Sequence, residues 1–279
     1  NNNGKNTYTF TENGNFTFEF ADRAGNKGKV TATVNCIDKV VPTAKIKYDV
    51  TSPTNGKVVA TLEDASEEIT ITNNEGKDTY TFINNGSFTF EFRDAAGNTG
   101  SAEAKVTWID KVLPIAEVTY NTTTLTNQDV IATISFTKNG IASNDVTVEG
   151  GNTHTFTQNG EYTFEYVDIA GNTGMATATV NWIDKTAPTA TVSYDVTAPT
   201  NGSVVATLGN ASEEIIVTNN DGNKTYTFTD NKEFTFEFKD LAGNTGAVTA
   251  TVNWIDKVAP TATVSYDVTE TTNGKVVAT

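Results

Sequence analysis

The 279 residues carry 34 acidic and 19 basic side chains, which gives a formal net charge of −15 with the single histidine neutral. This charge repels phosphate backbones, and no stretch reaches the roughly 20 apolar residues of a membrane-spanning helix, so nucleic-acid binding and membrane insertion of this segment are excluded. One cysteine and one histidine also exclude an internal disulfide and any repeated metal or catalytic centre that uses these residue types.

The sequence is a tandem array. Asp-x-Ala-Gly-Asn begins at Asp22, Asp94, Asp168 and Asp240, at intervals of 72, 74 and 72 residues, and each copy is followed by Ile-Asp-Lys and then by a proline. The array is predicted to contain the rear part of a repeat at 1–37, complete repeats at 38–109, 110–183 and 184–255, and the front part of a repeat at 256–279. Because neither partial copy can close a domain alone, we expect the chain to be a segment of a longer array.

Within each repeat apolar residues alternate with polar ones, which is typical of strands, and no window of eleven or more residues has helical spacing. Six strands are predicted in the first complete repeat, at 43–49, 57–63, 68–72, 78–83, 87–93 and 100–108. Two small antiparallel sheets packed face to face would close such a unit. We therefore predict an all-β fold in which sandwich domains follow one another as an extended rod.

The strand at 87–93 places three phenylalanine rings on one face. The aromatic strand at 78–83 is predicted to form a hairpin with it through Asn85-Gly86, a tight turn that needs positive φ. The last complete repeat has Asn231-Lys232 at this place, which predicts a looser turn or one of another type.

The Asp-x-Ala-Gly-Asn segment has the composition of a hairpin turn. Aspartate can accept hydrogen bonds from backbone N–H groups that follow it, and glycine adopts a left-handed conformation without strain. We favour this structural interpretation over a binding loop. The turn residues are Asp94, Gly97, Asn98, Asp168, Gly171, Asn172, Asp240, Gly243 and Asn244.

The run Phe-x-Phe-x-Phe-x-Asp-x-Ala-Gly-Asn-Thr-Gly, a Thr-rich strand, and Asp-Lys-x-Ala-Pro-Thr-Ala together resemble the bacterial immunoglobulin-like (Ig-like) repeats of Gram-positive surface proteins. The resemblance covers the whole chain. It implies an Ig-like sandwich in which Asp-x-Ala-Gly-Asn is the turn between the last two strands and the Ala-Pro segment opens the next domain. Similar arrays form stalks of adhesins, cell-wall and spore-surface fibres, and spacers of secreted glycoside hydrolases.

The junctions between repeats contain no Gly/Ser-rich spacer, so adjacent domains are expected to share an almost continuous backbone. Trp108 has the inward phase of its strand and is expected to complete the core of its own repeat. Ile109 has the opposite phase and is a candidate for packing against the neighbouring repeat. The predicted junction residues are Trp108, Ile109, Pro114, Trp182, Ile183, Pro188, Trp254, Ile255 and Pro260.

The implied topology gathers carboxylates at the end where a repeat begins, among them Asp38, Glu63, Asp64, Glu67 and Asp94. Converging oxygens could bind calcium, and the candidate ligands are Asp38, Asp94, Asp110, Asp168, Asp184 and Asp240. Two alternatives stay open: an ion pair with a lysine of Ile-Asp-Lys, or an isopeptide bond from that lysine. These lysines are Lys39, Lys111, Lys185 and Lys257. No other cofactor is predicted.

Three features depart from the repeat pattern. Cys36 stands where the other copies have tryptophan, either as a substituted core residue or as a link between chains, and His154 replaces a core tyrosine. The loop at 136–145 is five residues longer than its counterparts.

Since no partner for a catalytic triad exists and adjacent glutamates such as Glu67-Glu68 point to opposite faces of a strand, no catalytic residue is predicted.

These features predict a non-catalytic structural array that forms a stiff stalk or fibre on the cell or spore surface of a Gram-positive bacterium. Its expected partners are the neighbouring repeats of the chain and lateral copies of itself. The alternatives are an adhesin module that recognises glycan or host protein through loops such as 136–145, and an accessory array of a secreted glycoside hydrolase.

Overall fold

The computed structural model describes residues 1–279 and consists of strands and turns, with short 3-10 segments at Asn2–Gly4, Asn74–Gly76 and Asn220–Gly222. The predicted all-β fold is confirmed, and each of the six strands predicted in the 38–109 repeat overlaps an observed one. No helix has both the length and the apolar composition needed to cross a membrane.

Twenty-one strands follow one another along the chain. Residues 1–37 contain β1 (Gly14–Ala21) and β2 (Lys27–Val34). The 38–109 repeat contains β3 (Lys45–Tyr48), β4 (Val58–Glu63), β5 (Thr70–Ile71), β6 (Thr79–Phe82), β7 (Gly86–Arg93) and β8 (Thr99–Val106). The 110–183 repeat contains β9 (Ile115–Tyr120), β10 (Val130–Lys138), β11 (Ile141–Ala142), β12 (Val146–Val148), β13 (Thr153–Phe156), β14 (Gly160–Asp168) and β15 (Thr173–Val180). The 184–255 repeat contains β16 (Thr191–Tyr194), β17 (Val204–Gly209), β18 (Ile216–Val217), β19 (Thr225–Phe228), β20 (Lys232–Lys239) and β21 (Thr245–Val252).

Each complete repeat has two antiparallel sheets. Their strand orders are β3-β4-β6 and β5-β7-β8 in the 38–109 repeat, and β16-β17-β19 and β18-β20-β21 in the 184–255 repeat. The 110–183 repeat has β12-β14-β15 and a four-stranded sheet in which β11, β10 and β13 follow one another and β9 also pairs with β10. The additional strand β11 comes from the longer loop at 136–145, where Lys138 pairs with Ile141.

The phenylalanines of β7 form the centre of the 38–109 core. Phe90 and Phe92 are fully buried and lie opposite Ala102 and Gly100 of β8. Small residues on β8 leave room for the rings, which pack against β4 residues such as Val58. The 184–255 repeat has an equivalent core centred on Phe236 and Phe238 (β20).

Two predictions about the aromatic strands were wrong. Strand β6 pairs with β4 and not with β7, so Tyr80 faces Phe88 from the opposite sheet and stacks on it with ring centroids 3.9 Å apart. Neither Asn85 nor Gly86 has positive φ, because the chain crosses from one sheet to the other at this point. Gly86 is already the first residue of β7 and pairs with Val106 of β8. Since no special φ is required, Lys232 replaces this glycine without a looser turn and begins β20.

The chain divides into two compact units. The first comprises Asn1–Ala116, Ser135–Gly151 and Glu165–Ala176, and it contains the 38–109 core. The second comprises Glu117–Ile134, Asn152–Phe164 and Thr177–Thr279, and it contains the 184–255 core.

Candidate inter-repeat junction

The Asp-x-Ala-Gly-Asn turn is organised by its aspartate. The Asp94 carboxylate accepts hydrogen bonds from the backbone N–H of Asn98 (2.8 Å) and from its side-chain amide (2.7 Å), while Gly97 has φ 94°. Burial of the carboxyl raises the pKa of Asp94, but the bonds from Asn98, Gly97 and Ala96 lower it, and the result lies below the ordinary 3.8. The same bonds hold the turns that begin at Asp168 and Asp240.

The asparagine of each turn also binds the segment by which the chain enters the repeat. The side-chain amide of Asn98 donates to the Asp38 carbonyl at 3.3 Å. Asn172 donates in the same way to Asp110 at 3.1 Å, and Asn244 to Asp184 at 2.9 Å. The turn therefore fixes the entering segment of its own repeat, and Pro114 and Pro188 in these segments are buried, whereas Pro260 is exposed.

The predicted junction residues Trp108 and Ile109 both belong to the core of their own repeat. Ile109 is 6% exposed within that core, so its predicted packing against the neighbouring repeat is not what the structure has. It adopts this position because its N–H donates to the Asn85 side-chain oxygen (2.8 Å) and its carbonyl accepts from the Asn85 amide (2.9 Å). Asn159 holds Ile183 and Asn231 holds Ile255 by the same pair of bonds.

The tryptophans are half-buried and carry a polar contact. The indole N–H of Trp108 donates to the Val50 carbonyl at 3.0 Å, and its ring packs edge-on against Tyr48. Trp182 and Trp254 make the same contacts with Thr122 and Val196 carbonyls. Cys36, at the corresponding position, is exposed.

Contact between consecutive repeats comes from a residue that the sequence analysis did not single out. The Asn55 backbone N–H donates to the Ala170 carbonyl (2.8 Å), and its side-chain amide donates to the Gly171 carbonyl (2.8 Å). In the next junction the Asn127 backbone N–H donates to the Ala242 carbonyl at 3.1 Å. The receiving carbonyls belong to the Asp-x-Ala-Gly-Asn turn of the following repeat.

A repeated signal marks this contact in the sequence. Thr-Asn recurs at 54–55, 126–127, 200–201 and 272–273, at the same intervals as the turn motif. The threonine is equally constrained, because Thr54 accepts a backbone bond from Asp110 (2.8 Å) and donates one to Trp108 (3.1 Å).

The lysines of Ile-Asp-Lys do not pair with the aspartates predicted for them. The Lys111 ammonium donates to the Ile83 carbonyl at 2.6 Å. Lys185 pairs with Asp129 at 2.7 Å and Lys257 with Asp230 at 3.2 Å. Lys111, Lys185 and Lys257 thus each bind a residue of the preceding repeat.

Three carboxylates do converge in two of the repeats. Asp38, Glu67 and Asp94 have oxygens within 4.8 Å of one another, as do Asp184, Glu213 and Asp240. Burial, then repulsion from Asp38 and Asp94, raises the pKa of Glu67 above the ordinary 4.5. Such oxygens are the donors that a hard cation prefers. The other predicted members, Glu63 and Asp64, instead form exposed pairs with Lys47 and Lys45.

The middle repeat has a lysine where the other two have a glutamate. Lys138 lies 2.5 Å from Asp110 and 3.3 Å from Asp168, whose side chain is only 2% exposed. Burial lowers the pKa of Lys138, but the two carboxylates raise it, with a net increase above 10.5. The calcium candidates Asp110 and Asp168 are therefore already bound to an ammonium group. The longer loop at 136–145 supplies this group.

His154 occupies an aromatic position of the core. Its ring stacks on Tyr162 with centroids 3.7 Å apart, as Tyr80 stacks on Phe88. The imidazole therefore replaces a phenol ring within a packed pair.

Comparisons with known proteins identify the family of this chain. No curated protein matches the chain. Among solved structures, "Protocadherin Gamma B2 extracellular cadherin domains 1-5" shares 12% identity, with 86% of this chain and 71% of that chain covered and a TM-score of 0.22. The family described as "Bacterial Ig-like domain" matches residues 31–111 and 115–257. Because these matches span most of the sequence, the chain belongs to the bacterial Ig-like domain family.

Proposed function

We propose that the chain is a non-catalytic structural array that forms a stiff stalk or fibre on a bacterial cell or spore surface. The observation that carries the proposal is the contact of Asn55 with the Ala170-Gly171 turn, which Asn127 repeats with Ala242. It joins consecutive repeats at a place other than the covalent connection.

A second point of attachment limits bending. One peptide segment allows two domains to swing about it, whereas a segment and a separate hydrogen-bonded contact together restrain two directions of motion. The lysine contacts from Lys111 and Lys185 to the preceding repeat add a third restraint on the connecting segment. Stiffness is what a stalk requires, and the backbone bond from the asparagine to the turn, which recurs in the next junction, propagates it.

The proposed role needs no cofactor. A hard cation such as calcium would bind at the two carboxylate trios, where Glu67 and Glu213 complete the set. The proposed partners are the neighbouring repeats and lateral copies of the chain, and the proposed location is the extracellular surface of a Gram-positive bacterium.

Distances between repeats test the stiffness. Spin labels at Glu103→Cys and Glu161→Cys, in a Cys36→Ser background, report the separation of the 38–109 and 110–183 repeats by pulsed electron paramagnetic resonance. We expect a narrow distance distribution that broadens in Asn55→Asp, since a carboxylate cannot donate to the Gly171 carbonyl. Small-angle scattering should also give roughly 30–40 Å per repeat, from strands at about 3.3 Å per residue plus end loops.

The control for Asn55→Asp is Asn201→Asp, which makes the same change within the same Thr-Asn-Gly sequence. It should leave the distance distribution unchanged. A Gly/Ser spacer inserted after Lys111 supplies the flexible reference. A native distribution as broad as that of the spacer variant would refute the proposal.

An adhesin role is the second candidate, because Ile141 at the 136–145 hairpin is 73% exposed. Binding of the full chain on a glycan array, lost in Ile141→Thr, would favour it. This substitution leaves Lys138 in place, so a loss would not come from the Asp110–Asp168 contact.

A further inference from the structure

The outward surface of the 110–183 repeat has a groove whose side chains differ from those of the other repeats. The groove has a volume of about 590 Å³ and is lined by residues that include Glu149, Glu165, Val167 and Met175 of the β12-β14-β15 region. Both glutamates are exposed, and Met175 is 70% exposed. A groove of about 580 Å³ occupies the equivalent place in the 38–109 repeat. The shape of the groove is therefore a feature of the fold, whereas the side chains that line it differ between repeats.

Backbone hydrogen bonds establish which residues correspond. The Glu149 N–H donates to the Glu165 carbonyl at 3.0 Å. The Thr72 N–H makes the same bond with Glu91 at 2.8 Å, as does Thr218 with Glu237. Counting from the turn aspartate identifies the other positions.

Three substitutions coincide in the groove of the middle repeat. They are Val167 in place of Arg93 and Lys239, Met175 in place of Ser101 and Ala247, and Glu149 in place of Thr72 and Thr218. At these sequence positions the middle repeat therefore lacks the basic residue of the other repeats and gains a carboxylate and a thioether side chain, while the glutamate at 165 has counterparts in Glu91 and Glu237.

All three substitutions favour a ligand that carries both apolar and basic groups. A single exposed methionine needs no explanation, but here it lies in a groove with two carboxylates from which the basic side chain of the other repeats is missing. Methionine is flexible and polarisable and adapts to apolar partners. Two glutamates beside it attract lysine or arginine, and the net charge of −15 strengthens this attraction over a longer range.

We infer that this groove binds an extended peptide segment of another protein that presents an apolar side chain between two basic ones. In an extended segment, alternate side chains lie on the same face. A basic, apolar, basic series at every second residue would therefore place its apolar group on Met175 and Val167 and its charges near Glu149 and Glu165. This binding site goes beyond the structural role proposed above and does not depend on the contacts between repeats.

The chain contains one methionine, so ¹³C-methyl methionine labelling gives one NMR signal that reports on the groove directly. The probe is acetyl-Lys-Ser-Leu-Ser-Lys-amide added to the full chain. We expect a saturable shift of the Met175 methyl signal. The peptides with glutamate in place of lysine, or serine in place of leucine, should bind at least tenfold more weakly.

Variants taken from the other repeats should preserve the fold. Val167→Arg and Glu149→Thr introduce residues that the equivalent positions already carry, and each should weaken peptide binding at least fivefold. In the reverse experiment, Thr72→Glu, Arg93→Val and Ser101→Met together should give a second methyl signal that shifts with the same peptide.

Three results would overturn the inference. The first is an unchanged Met175 signal at saturating peptide in the native chain. The second is equal binding of the leucine and serine peptides, which would reduce the effect to charge attraction. The third is equal binding of the lysine and glutamate peptides, which would reduce it to nonspecific apolar contact.

Discussion

Replacing Asn85 by alanine should loosen the end of the 38–109 repeat, because Asn85 holds both backbone groups of Ile109. The substitution removes two hydrogen bonds, of 2.8 and 2.9 Å, in a part-buried place. A net contribution of about 0.5–1.5 kcal/mol for each bond gives a loss of about 1–3 kcal/mol. Because the N–H and carbonyl of Ile109 would lose their partner, the cost should lie in the upper part of this range.

Hydrogen exchange measures the effect locally. A loss of about 1–3 kcal/mol corresponds to exchange of the Ile109 amide that is roughly 5- to 150-fold faster, if local opening limits exchange. The Ile255 amide of the same molecule is the internal control, since Asn231 still holds it. Its exchange should not change.

Hydrogen exchange also distinguishes two roles of Asn85: holding Ile109 by hydrogen bonds, or adopting the positive φ of a tight turn. If Asn85 were required for positive φ, Asn85→Gly would preserve the turn, whereas loss of the two bonds predicts that glycine is at least as damaging as alanine. Asn85→Asp should be less damaging than either alanine or glycine, because a carboxylate can still accept from the Ile109 N–H although it cannot donate to the Ile109 carbonyl. Native exchange rates in Asn85→Gly together with fast exchange in Asn85→Ala would refute the reasoning.

Two further predictions concern the charged groups. Lys138→Ala leaves the Asp168 carboxylate, 2% exposed, without its cation, and should cost about 1–3 kcal/mol in denaturant unfolding. Lys45→Ala, which removes the exposed pair with Asp64, should cost less than about 1 kcal/mol; equal costs would contradict the assigned role of Lys138. The pKa values of Glu67 and Glu213 are raised in the folded protein, so their contribution to stability is fully present below about pH 4.5 and is lost as the pH rises through the folded-state pKa values. The double variant Glu67→Gln with Glu213→Gln should therefore flatten this part of the plot of unfolding free energy against pH. The turn aspartates have the opposite sign, since their lowered pKa values predict stability that is lost in acid below 3.8, and this loss should persist in the glutamine variant.

Local patterns in the sequence were sufficient to predict the strands and the repeat. The period of two at Phe88, Phe90 and Phe92 identifies a strand and its buried face without any knowledge of the partner strand. The Asp94 turn is equally local, because its bonds reach only four residues along the chain.

The contacts that the sequence did not reveal join distant residues. Asn85 binds a residue 24 positions away, and Asn55 reaches across 116 positions to Gly171. An Asn-Gly pair has a strong local interpretation as a tight turn, and this interpretation was wrong because a tertiary partner used the asparagine side chain instead. Lys138 was hidden for a related reason: its partners lie 28 and 30 positions away, and only the fold brings them together.

The distribution of constant and variable residues links the structural and binding proposals. The positions that make up the contact between repeats, such as the turn aspartate and the Thr-Asn pair, are identical in every complete repeat. The groove positions differ, and Val167 and Met175 occur in the middle repeat alone. A binding site can therefore be changed in one repeat without altering how that repeat joins its neighbours. It follows that Val167→Arg should weaken peptide binding at least fivefold while leaving the inter-repeat distance distribution narrow, whereas Asn55→Asp should broaden the distribution and leave peptide affinity unchanged. Loss of both properties in either variant would show that the groove and the junction are coupled, contrary to this separation.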